Sequence, residues 1–148
     1  MFEMSSFKPD IDNAMEGLPH AEPFRFLSEV VELSSDSARG YWKVNGAEDF
    51  FRGHFPNRPL VPGVLLVEAA AQLAGVLASH RTGIKNSAGM LVLSESKFKR
   101  SIEPPADIEL TVSGDRVMGS IHLLDFTASH EGVLCAQGQV GLSIGEPG

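Results

Sequence analysis

The stretch GHFPNRPLVPGVLLVEAAAQ, residues 53–72, decides the fold of this chain. Prolines and glycines surround one histidine, His54, and the almost wholly apolar run that follows carries one carboxylate, Glu68. Pro62 suits the first turn of a helix, because its missing N–H would have no intrahelical partner there in any case. The sequence thus indicates a stiff loop that carries a histidine and leads directly into an apolar helix.

The pattern from Gly63 to about His80 predicts one long helix, rich in alanine and leucine. Because nearly all of its sides are apolar, protein must surround it. The segments on both sides of it are typical of strands. They are 24–33, 38–44, GMLVLSESKFKR, DIELTVSGD, RVMGSIHLLDFTASH and GVLCAQGQVGLSI, with a hairpin turn at 130–132. The sequence therefore predicts an α+β fold, a curved antiparallel sheet wrapped around one long central helix.

The length of 148 residues favours a single domain over 1–148. We expect residues 1–9 and 145–148 to be flexible. The formal net charge of −7 argues against a nucleic-acid partner, since neutralising phosphates requires a basic surface.

Cysteine usage and the N-terminal segment bear on the compartment. The single cysteine, Cys135, cannot form an internal disulfide, which favours a reducing compartment. The first residues lack the basic-then-apolar order of a signal peptide, so we expect a cytoplasmic protein. The run 61–78 approaches the length of a membrane span, but a central carboxylate, Glu68, is costly in lipid. We therefore expect no membrane association.

A polar stripe runs along the predicted helix. Glu68, Gln72, Gly75 and Ser79 are spaced so that all four share one face. Two interpretations are open. The stripe either faces solvent, or it borders a cleft or a subunit interface. In the second case a partly desolvated Glu68 that keeps its proton can act as a general acid, and Gln72 is placed to orient it.

The histidines differ in their surroundings. His54 is held between glycine and proline residues and suits the role of general base, although a lone loop histidine is often a surface residue without a function. We interpret His20 as structural, and His122 and His130 as surface residues. The spacing of the histidines matches no metal-binding motif, so we predict no metal site.

The stretch 53–72 resembles the signature of the β-hydroxyacyl-acyl-carrier-protein dehydratases of bacterial type II fatty acid synthesis, which have the hotdog fold. Similar stretches are LPHAEPF (18–24) and KFKR (97–100), so the resemblance covers roughly 16–140. Relatives that also isomerise the double bond carry aspartate where this chain has Glu68. The chain therefore resembles the Z-type, dehydratase-only branch.

This resemblance implies conversion of a (3R)-hydroxyacyl-acyl carrier protein to the trans-2-enoyl product without a cofactor. It implies that His54 removes a proton from the carbon next to the thioester carbonyl and that Glu68 helps the 3-hydroxyl leave as water. Gly63 would offer its N–H to the thioester oxygen, a role that the free N–H groups and dipole of a helix start also favour. The further substrate-binding residues expected are Val64, Gln72, Phe55 and Pro56.

The resemblance also implies partners. In this family His54 of one subunit faces Glu68 of the other, so we expect a homodimer, assembled as a trimer of dimers. The acyl carrier protein is acidic and would dock on a local basic patch, although each of these cations is equally well explained as an ordinary solvated charge. The candidate residues for that patch are Arg81, Lys85, Lys97, Lys99 and Arg100.

The chain departs from the family pattern at two places. Relatives usually have Arg-Tyr where this chain has Ala21 and Glu22, and Arg-Pro-x-x-Pro-Gly-Asp where it has RSIEPPAD. These changes affect the expected chain-length preference and carrier docking more than the chemistry. A dehydratase of a specialised lipid or polyketide pathway, a hotdog thioesterase, and a carrier-binding subunit without activity remain the alternative functions.

Overall fold

The computed structural model describes residues 11, 13–84 and 89–143. The ends that we expect to be flexible, 1–9 and 145–148, lie outside the described residues. Lys85, one of the candidate docking residues, lies outside them as well.

The central helix, α1, spans Gly63–Thr82. Pro62 is the N-cap residue and has an extended conformation, one position before the first turn in which the sequence predicts it. The helix ends at Gly83, whose φ of 76° places it in the left-handed region and whose N–H donates to the carbonyl of Ser79 at 2.8 Å. Glycine adopts this conformation without steric cost, which explains why the helix stops there.

Six antiparallel strands form one sheet. They are β1 (Glu29–Leu33), β2 (Ser37–Val44), β3 (Met90–Phe98), β4 (Ala106–Met118), β5 (Ile121–His130) and β6 (Val133–Ser143), in the spatial order β1-β2-β4-β5-β6-β3. The sheet curves around α1, which contacts β2 through β6. The predicted α+β arrangement of a wrapped sheet and a central helix is confirmed.

The core lies between α1 and the concave face of the sheet. Ala70, Leu73 and Leu77 of the helix are completely buried, as are Ile108 and Leu110 of β4. Burial of each such leucine or isoleucine side chain stabilises the fold by about 2 kcal/mol. By length and composition alone α1 is able to cross a membrane. In this fold, however, the sheet surrounds most of its surface.

Two strand predictions need correction. The predicted strand 24–33 begins only at Glu29, because the N–H groups of Phe26 and Leu27 bind a side chain of α1 instead of a neighbouring strand. The predicted break between DIELTVSGD and RVMGSIHLLDFTASH is a bulge within β4, where Gly114 has a φ of 72° and the strand continues to Met118. The chain turns instead between Met118 and Ile121, within the segment that was predicted as one strand.

The prediction that His122 is a surface residue is also wrong. His122 is 7% exposed, because it shares the inward face of β5 with Leu124, Phe126 and Ala128 at a spacing of two residues. Burial and the nearby Arg81 guanidinium lower the pKa of His122 below its ordinary value of 6.5. The predicted hairpin turn at 130–132 is confirmed between β5 and β6.

One edge of the sheet is apolar and exposed. Among the strands of the described residues, β3 pairs with β6 alone, and its side chains are open to solvent along most of its length. Met90 is 66% exposed and Phe98 is 53% exposed, and Leu91, Val92 and Leu93 between them are exposed too. An open edge strand with apolar side chains is a template for pairing with another chain.

Candidate active site

The loop that carries His54 holds the imidazole in a defined orientation. The N–H of His54 donates to the carbonyl of Phe50 at 3.1 Å, and its carbonyl accepts from the N–H of Leu60 at 2.9 Å. The ring nitrogen Nδ1 lies 3.0 Å from the carbonyl oxygen of Leu60. Because a carbonyl can only accept, Nδ1 carries a hydrogen. In the neutral form of the ring, Nε2 therefore has the free lone pair and can accept a proton.

A tight turn stiffens the next residues. Phe55 and Arg58 exchange two backbone hydrogen bonds of 3.1 Å each. The ring of Phe55 is half exposed and stacks on the ring of His54, with 4.3 Å between the ring centroids. Pro56 lies exposed in the same turn. This stacking limits rotation of the imidazole.

The start of α1 offers free N–H groups. The carbonyl of Pro62 accepts from the N–H groups of Leu65 and Leu66, at 3.0 and 3.2 Å. The N–H groups of Gly63 and Val64 precede these and have no possible intrahelical acceptor. A Cβ at Gly63 would lie 2.9 Å from the ring of Phe98, so a larger residue at position 63 would require that half-exposed ring to shift. The helix dipole and these N–H groups can stabilise negative charge on an oxygen.

The polar stripe of α1 lines a cavity of about 100 Å³. The segment that precedes β1 and the start of β3 form its other walls. The lining residues are Glu68, Ala71, Gln72, Gly75 and Ser79 of α1, with Gly17, Leu18, Pro19, His20, Gly89, Leu91 and Leu142. The stripe was expected either to face solvent or to border a cleft or a subunit interface. In this chain it borders a cleft.

The side chain of Gln72 is buried beside this cavity and is held by hydrogen bonds. It is 1% exposed, and its side-chain oxygen accepts from the N–H groups of Phe26 and Leu27 at 2.9 and 3.1 Å. These two donors identify that atom as the oxygen, so the other atom is the amide nitrogen. That nitrogen donates to the carbonyl of Phe24 at 2.9 Å and to Oε2 of Glu68 at 3.0 Å. The sequence-based expectation that Gln72 can orient Glu68 thus has a geometric basis.

This hydrogen bond distinguishes the two oxygens of Glu68. Gln72 can only donate to Oε2, so Oε2 acts as an acceptor. A carbonyl oxygen accepts better than a hydroxyl oxygen, so in the acid form this contact favours Oε1 as the oxygen that carries the proton. Glu68 lines the cavity with its side chain 23% exposed, which gives the carboxyl both an anchored oxygen and access to a bound molecule.

His20 is a cavity residue that sequence reasoning missed. Its Nε2 lies 3.5 Å from Oε2 of Glu68, and its ring stacks against that of Phe24 with a centroid distance of 6.2 Å. The interpretation of His20 as purely structural rested on its position after Leu-Pro. Its inclusion in the matching stretch LPHAEPF was the one signal in the sequence that could have drawn attention to it.

Within a single protomer the two predicted catalytic residues do not share this cavity. Glu68 and Gln72 line it, whereas His54, Phe55 and Gly63 are not among its lining residues. The start of α1 at Gly63 lies instead beside Phe98, at the end of β3. The loop between His54 and α1 is joined to Ile102, whose carbonyl accepts from the N–H of Val61 at 2.8 Å.

The candidate docking residues fall into two groups. Arg81 donates from Nε to the carbonyl of Ser35 in the β1–β2 turn, and burial lowers its pKa. Lys97, Lys99 and Arg100 instead flank Phe98, next to the start of α1. These three have no ion-pair partner within the described ranges 13–84 and 89–143.

Metal binding finds no support in the described part of the chain. There, no group of three or more His, Cys, Asp and Glu side chains is arranged to hold a metal ion.

Comparison with known proteins identifies the family of the chain. Residues 18–139 match the FabA-like domain family. The chain is 33% identical over 137 residues to the 3-hydroxyacyl-[acyl-carrier-protein] dehydratase FabZ of Sinorhizobium fredii, covering 91% of this chain and 89% of that one. It is 36% identical to the FabZ of Streptococcus mutans, covering 92% and 98% of the two chains.

Among solved structures, the dehydratase heterocomplex ApeI:P from Xenorhabdus doucetiae shares the fold. The TM-score is 0.74 at 16% identity, over 90% of this chain and 91% of that chain. The sequence matches extend over nearly the whole chain, from the segment before β1 to β6. This chain belongs to the FabA-like domain family and groups with its FabZ 3-hydroxyacyl-[acyl-carrier-protein] dehydratases.

Proposed function

We propose that this protein dehydrates a (3R)-hydroxyacyl-acyl carrier protein to the trans-2-enoyl form in fatty acid or related lipid biosynthesis. The observation that carries the proposal is the carboxyl of Glu68, which lines a cavity with one oxygen anchored by Gln72. Membership of a family whose FabZ relatives are named as such dehydratases supports the same reaction. No cofactor is required, because acid–base groups suffice for this elimination.

His54 serves as the general base. Its Nε2 has a free lone pair because Nδ1 donates to the carbonyl of Leu60. In the reaction Nε2 takes the proton from the carbon next to the thioester carbonyl, and the electron pair of that C–H bond moves into the new double bond. Phe55 stacks on the imidazole and keeps the ring directed.

Glu68 serves as the general acid. The C3–O bond breaks with its electron pair on oxygen, and the proton on Oε1 of Glu68 converts the leaving hydroxyl into water. Oε2 stays bound to Gln72 throughout, so the carboxyl does not have to rotate. Proton exchange with solvent then returns His54 to the neutral form and Glu68 to the acid form for the next turnover.

The start of α1 stabilises the negative charge that develops on the thioester oxygen. The N–H groups of Gly63 and Val64 lack intrahelical acceptors, and the helix dipole adds to their field. Removing one such donor typically costs a hundredfold or more in turnover. The ring of Phe98 over Gly63 shields this point from one side.

The complete site belongs to a homodimer in this proposal. His54 and Glu68 do not share a cavity within one chain, and the exposed apolar edge strand β3 provides a surface for a second copy. A twofold axis would use the same edge on both chains, as isologous interfaces do. It would bring His54 of one subunit to Glu68 of the other. A trimer of three such dimers is the further assembly that we propose.

The substrate arrives on an acyl carrier protein, which would dock near the start of α1. Lys97, Lys99 and Arg100 flank Phe98 there, and their charge complements an acidic partner. Arg81 is held by the β1–β2 turn and contributes less to this surface. We place the reaction in the cytoplasm, where soluble carrier proteins and reduced cysteines such as Cys135 are found.

A thioester assay tests the function. Purified protein is incubated with 3-hydroxyacyl-acyl carrier protein of several chain lengths, and both the enoyl product and free carrier thiol are measured. Dehydration predicts enoyl product with the thioester intact. Release of free thiol without enoyl product would replace the proposal with a thioesterase. Carrier binding without either product would indicate an inactive binding subunit.

A further inference from the structure

We propose that His20 is a positioning residue for Glu68: from Nε2 it donates to Oε2, and together with Gln72 it keeps the acid proton on Oε1, facing the cavity. The inference rests on the proposed function, since it assigns a role in the same acid step. It extends the site to the segment before β1.

The distance between the two side chains places His20 at the anchored oxygen of Glu68. Nε2 of His20 lies 3.5 Å from Oε2, the atom that also accepts from Gln72 at 3.0 Å. Contacts between catalytic groups are often long before substrate binds and shorten in the complex. Two donors directed at Oε2 leave Oε1 as the site for the proton.

The other ring nitrogen of His20 supports the same hydrogen position. Nδ1 is buried and has no hydrogen-bond partner within the described ranges. A hydrogen on Nδ1 would therefore be a buried donor without an acceptor, which is costly. In the neutral form of the ring the hydrogen then belongs on Nε2, directed at Glu68.

The backbone around His20 is held in place. Arg25 donates from Nε to the carbonyl of His20 at 3.0 Å. From Nη2 it donates to the carbonyls of Leu18 and Met15, at 3.3 and 3.4 Å. Phe24 stacks on the imidazole, and its own carbonyl accepts from Gln72. The same glutamine thus fixes both Glu68 and the segment that carries His20.

Two substitutions of His20 separate positioning from a structural role. His20→Leu keeps much of the volume but removes the donor, and it should lower kcat about tenfold while KM changes less than twofold. His20→Gln supplies an amide N–H near the place of Nε2 and should recover kcat to within about threefold of wild type. His130→Gln, in the β5–β6 turn, is the matched control and should leave kcat unchanged.

A double-mutant cycle tests whether His20 acts through Glu68. In the Glu68→Gln background there is no acid proton to position, so adding His20→Leu should lower kcat by less than about twofold. A full tenfold loss in that background would overturn the proposal, as would equal losses for His20→Gln and His20→Leu.

A spectroscopic measurement shows which ring nitrogen of His20 carries the hydrogen, without relying on activity. Nitrogen-15 NMR of the histidine rings, with His20 assigned by its absence in His20→Leu, should show a neutral ring with the hydrogen on Nε2. A hydrogen on Nδ1, or on both nitrogens, would overturn the proposal even in an active enzyme. If the wild-type protein dehydrates no thioester, the proposed function fails, and the NMR result still tests the geometry.

Discussion

Gln72 and Glu68, one turn apart on α1, are joined by a hydrogen bond of 3.0 Å from the Gln72 amide nitrogen to Oε2 of Glu68. The same amide group makes three further bonds to the backbone of Phe24, Phe26 and Leu27. The carboxyl that we propose as the general acid is therefore coupled through one side chain to a chain segment more than forty residues away in sequence. Both the free energy of unfolding and the turnover number should therefore depend on Gln72.

Replacement of Gln72 tests this coupling. Gln72→Met keeps the shape of the side chain but leaves two backbone N–H groups and one carbonyl without partners. Because leaving a buried polar group unpaired costs about 1 kcal/mol or more, we expect the free energy of unfolding to fall by about 3 kcal/mol. We also expect kcat to fall at least tenfold, since Oε2 of Glu68 loses its anchor. Urea denaturation and the thioester assay measure the two effects.

The matched control is Gln139→Met on β6, a half-buried glutamine outside the cavity. It should change the free energy of unfolding by less than about 0.5 kcal/mol. Equal effects of the two substitutions would show that Gln72 has no special structural role.

The sequence predicts the scaffold of the site better than its contacts. The helix from Gly63 and the loop around His54 follow from proline and glycine chemistry, which acts within a few residues. Strand 24–33 was predicted too long because Gln72, distant in sequence, takes the N–H groups of Phe26 and Leu27. Local patterns contain no information on such a partner.

His20 and His122 illustrate the same limit. The position of His20 beside Glu68 depends on how Arg25 folds the segment before β1 against α1. His122 was predicted to lie at the surface because a strand histidine commonly does, but the curved sheet turns its face of β5 toward the helix. Both placements are products of tertiary packing.

The catalytic assignment predicts large losses at two positions. His54→Ala removes the base, and Glu68→Gln removes the acid proton while keeping the hydrogen bond to Gln72. Each should lower turnover at least about a hundredfold, the usual contribution of a general acid or base. Losses below about threefold at both positions would remove the basis of the assignment.

Mixing the two variants tests whether the site is shared between subunits. A heterodimer of one His54→Ala chain and one Glu68→Gln chain has one site with both defects and one site with neither. Random exchange makes about half of the dimers mixed, so about a quarter of wild-type activity should return. The experiment refolds or incubates the variants together and assays the mixture. If activity stays at the level of the separate variants although mixed dimers form, both residues act within one chain.

Charge reversal tests the carrier-docking surface. The double substitution Lys99→Glu with Arg100→Glu, next to Phe98 and the start of α1, should raise KM for the carrier-bound substrate about tenfold. The kcat/KM for a short pantetheine thioester, which needs no docking surface, should change less than twofold. Lys43→Glu is the control, because Lys43 lies on β2 and already pairs with Glu29 at 3.0 Å. An equal loss of kcat/KM on the carrier-bound and the pantetheine substrate would show that these cations do not act by binding the carrier protein.

The buried histidine of β5 predicts how stability depends on pH. Burial and the Arg81 guanidinium lower the pKa of His122 in the folded protein below its ordinary value of 6.5. Below pH 6.5 the unfolded chain therefore binds a proton that the folded chain resists. Stability should fall as the pH drops from about 6.5 toward the folded pKa, with a slope of at most about 1.4 kcal/mol per pH unit from this residue.

Urea denaturation between pH 5 and pH 8 measures this contribution. His122→Gln cannot take up the proton, so its stability should decline less steeply below pH 6.5 than that of wild type, whatever its absolute value. His130→Gln, in the β5–β6 turn, should keep the wild-type slope. The two variants share the same change of side chain and differ in burial and in proximity to Arg81. An unchanged slope in His122→Gln would mean that His122 takes up its proton equally in the folded and unfolded chains.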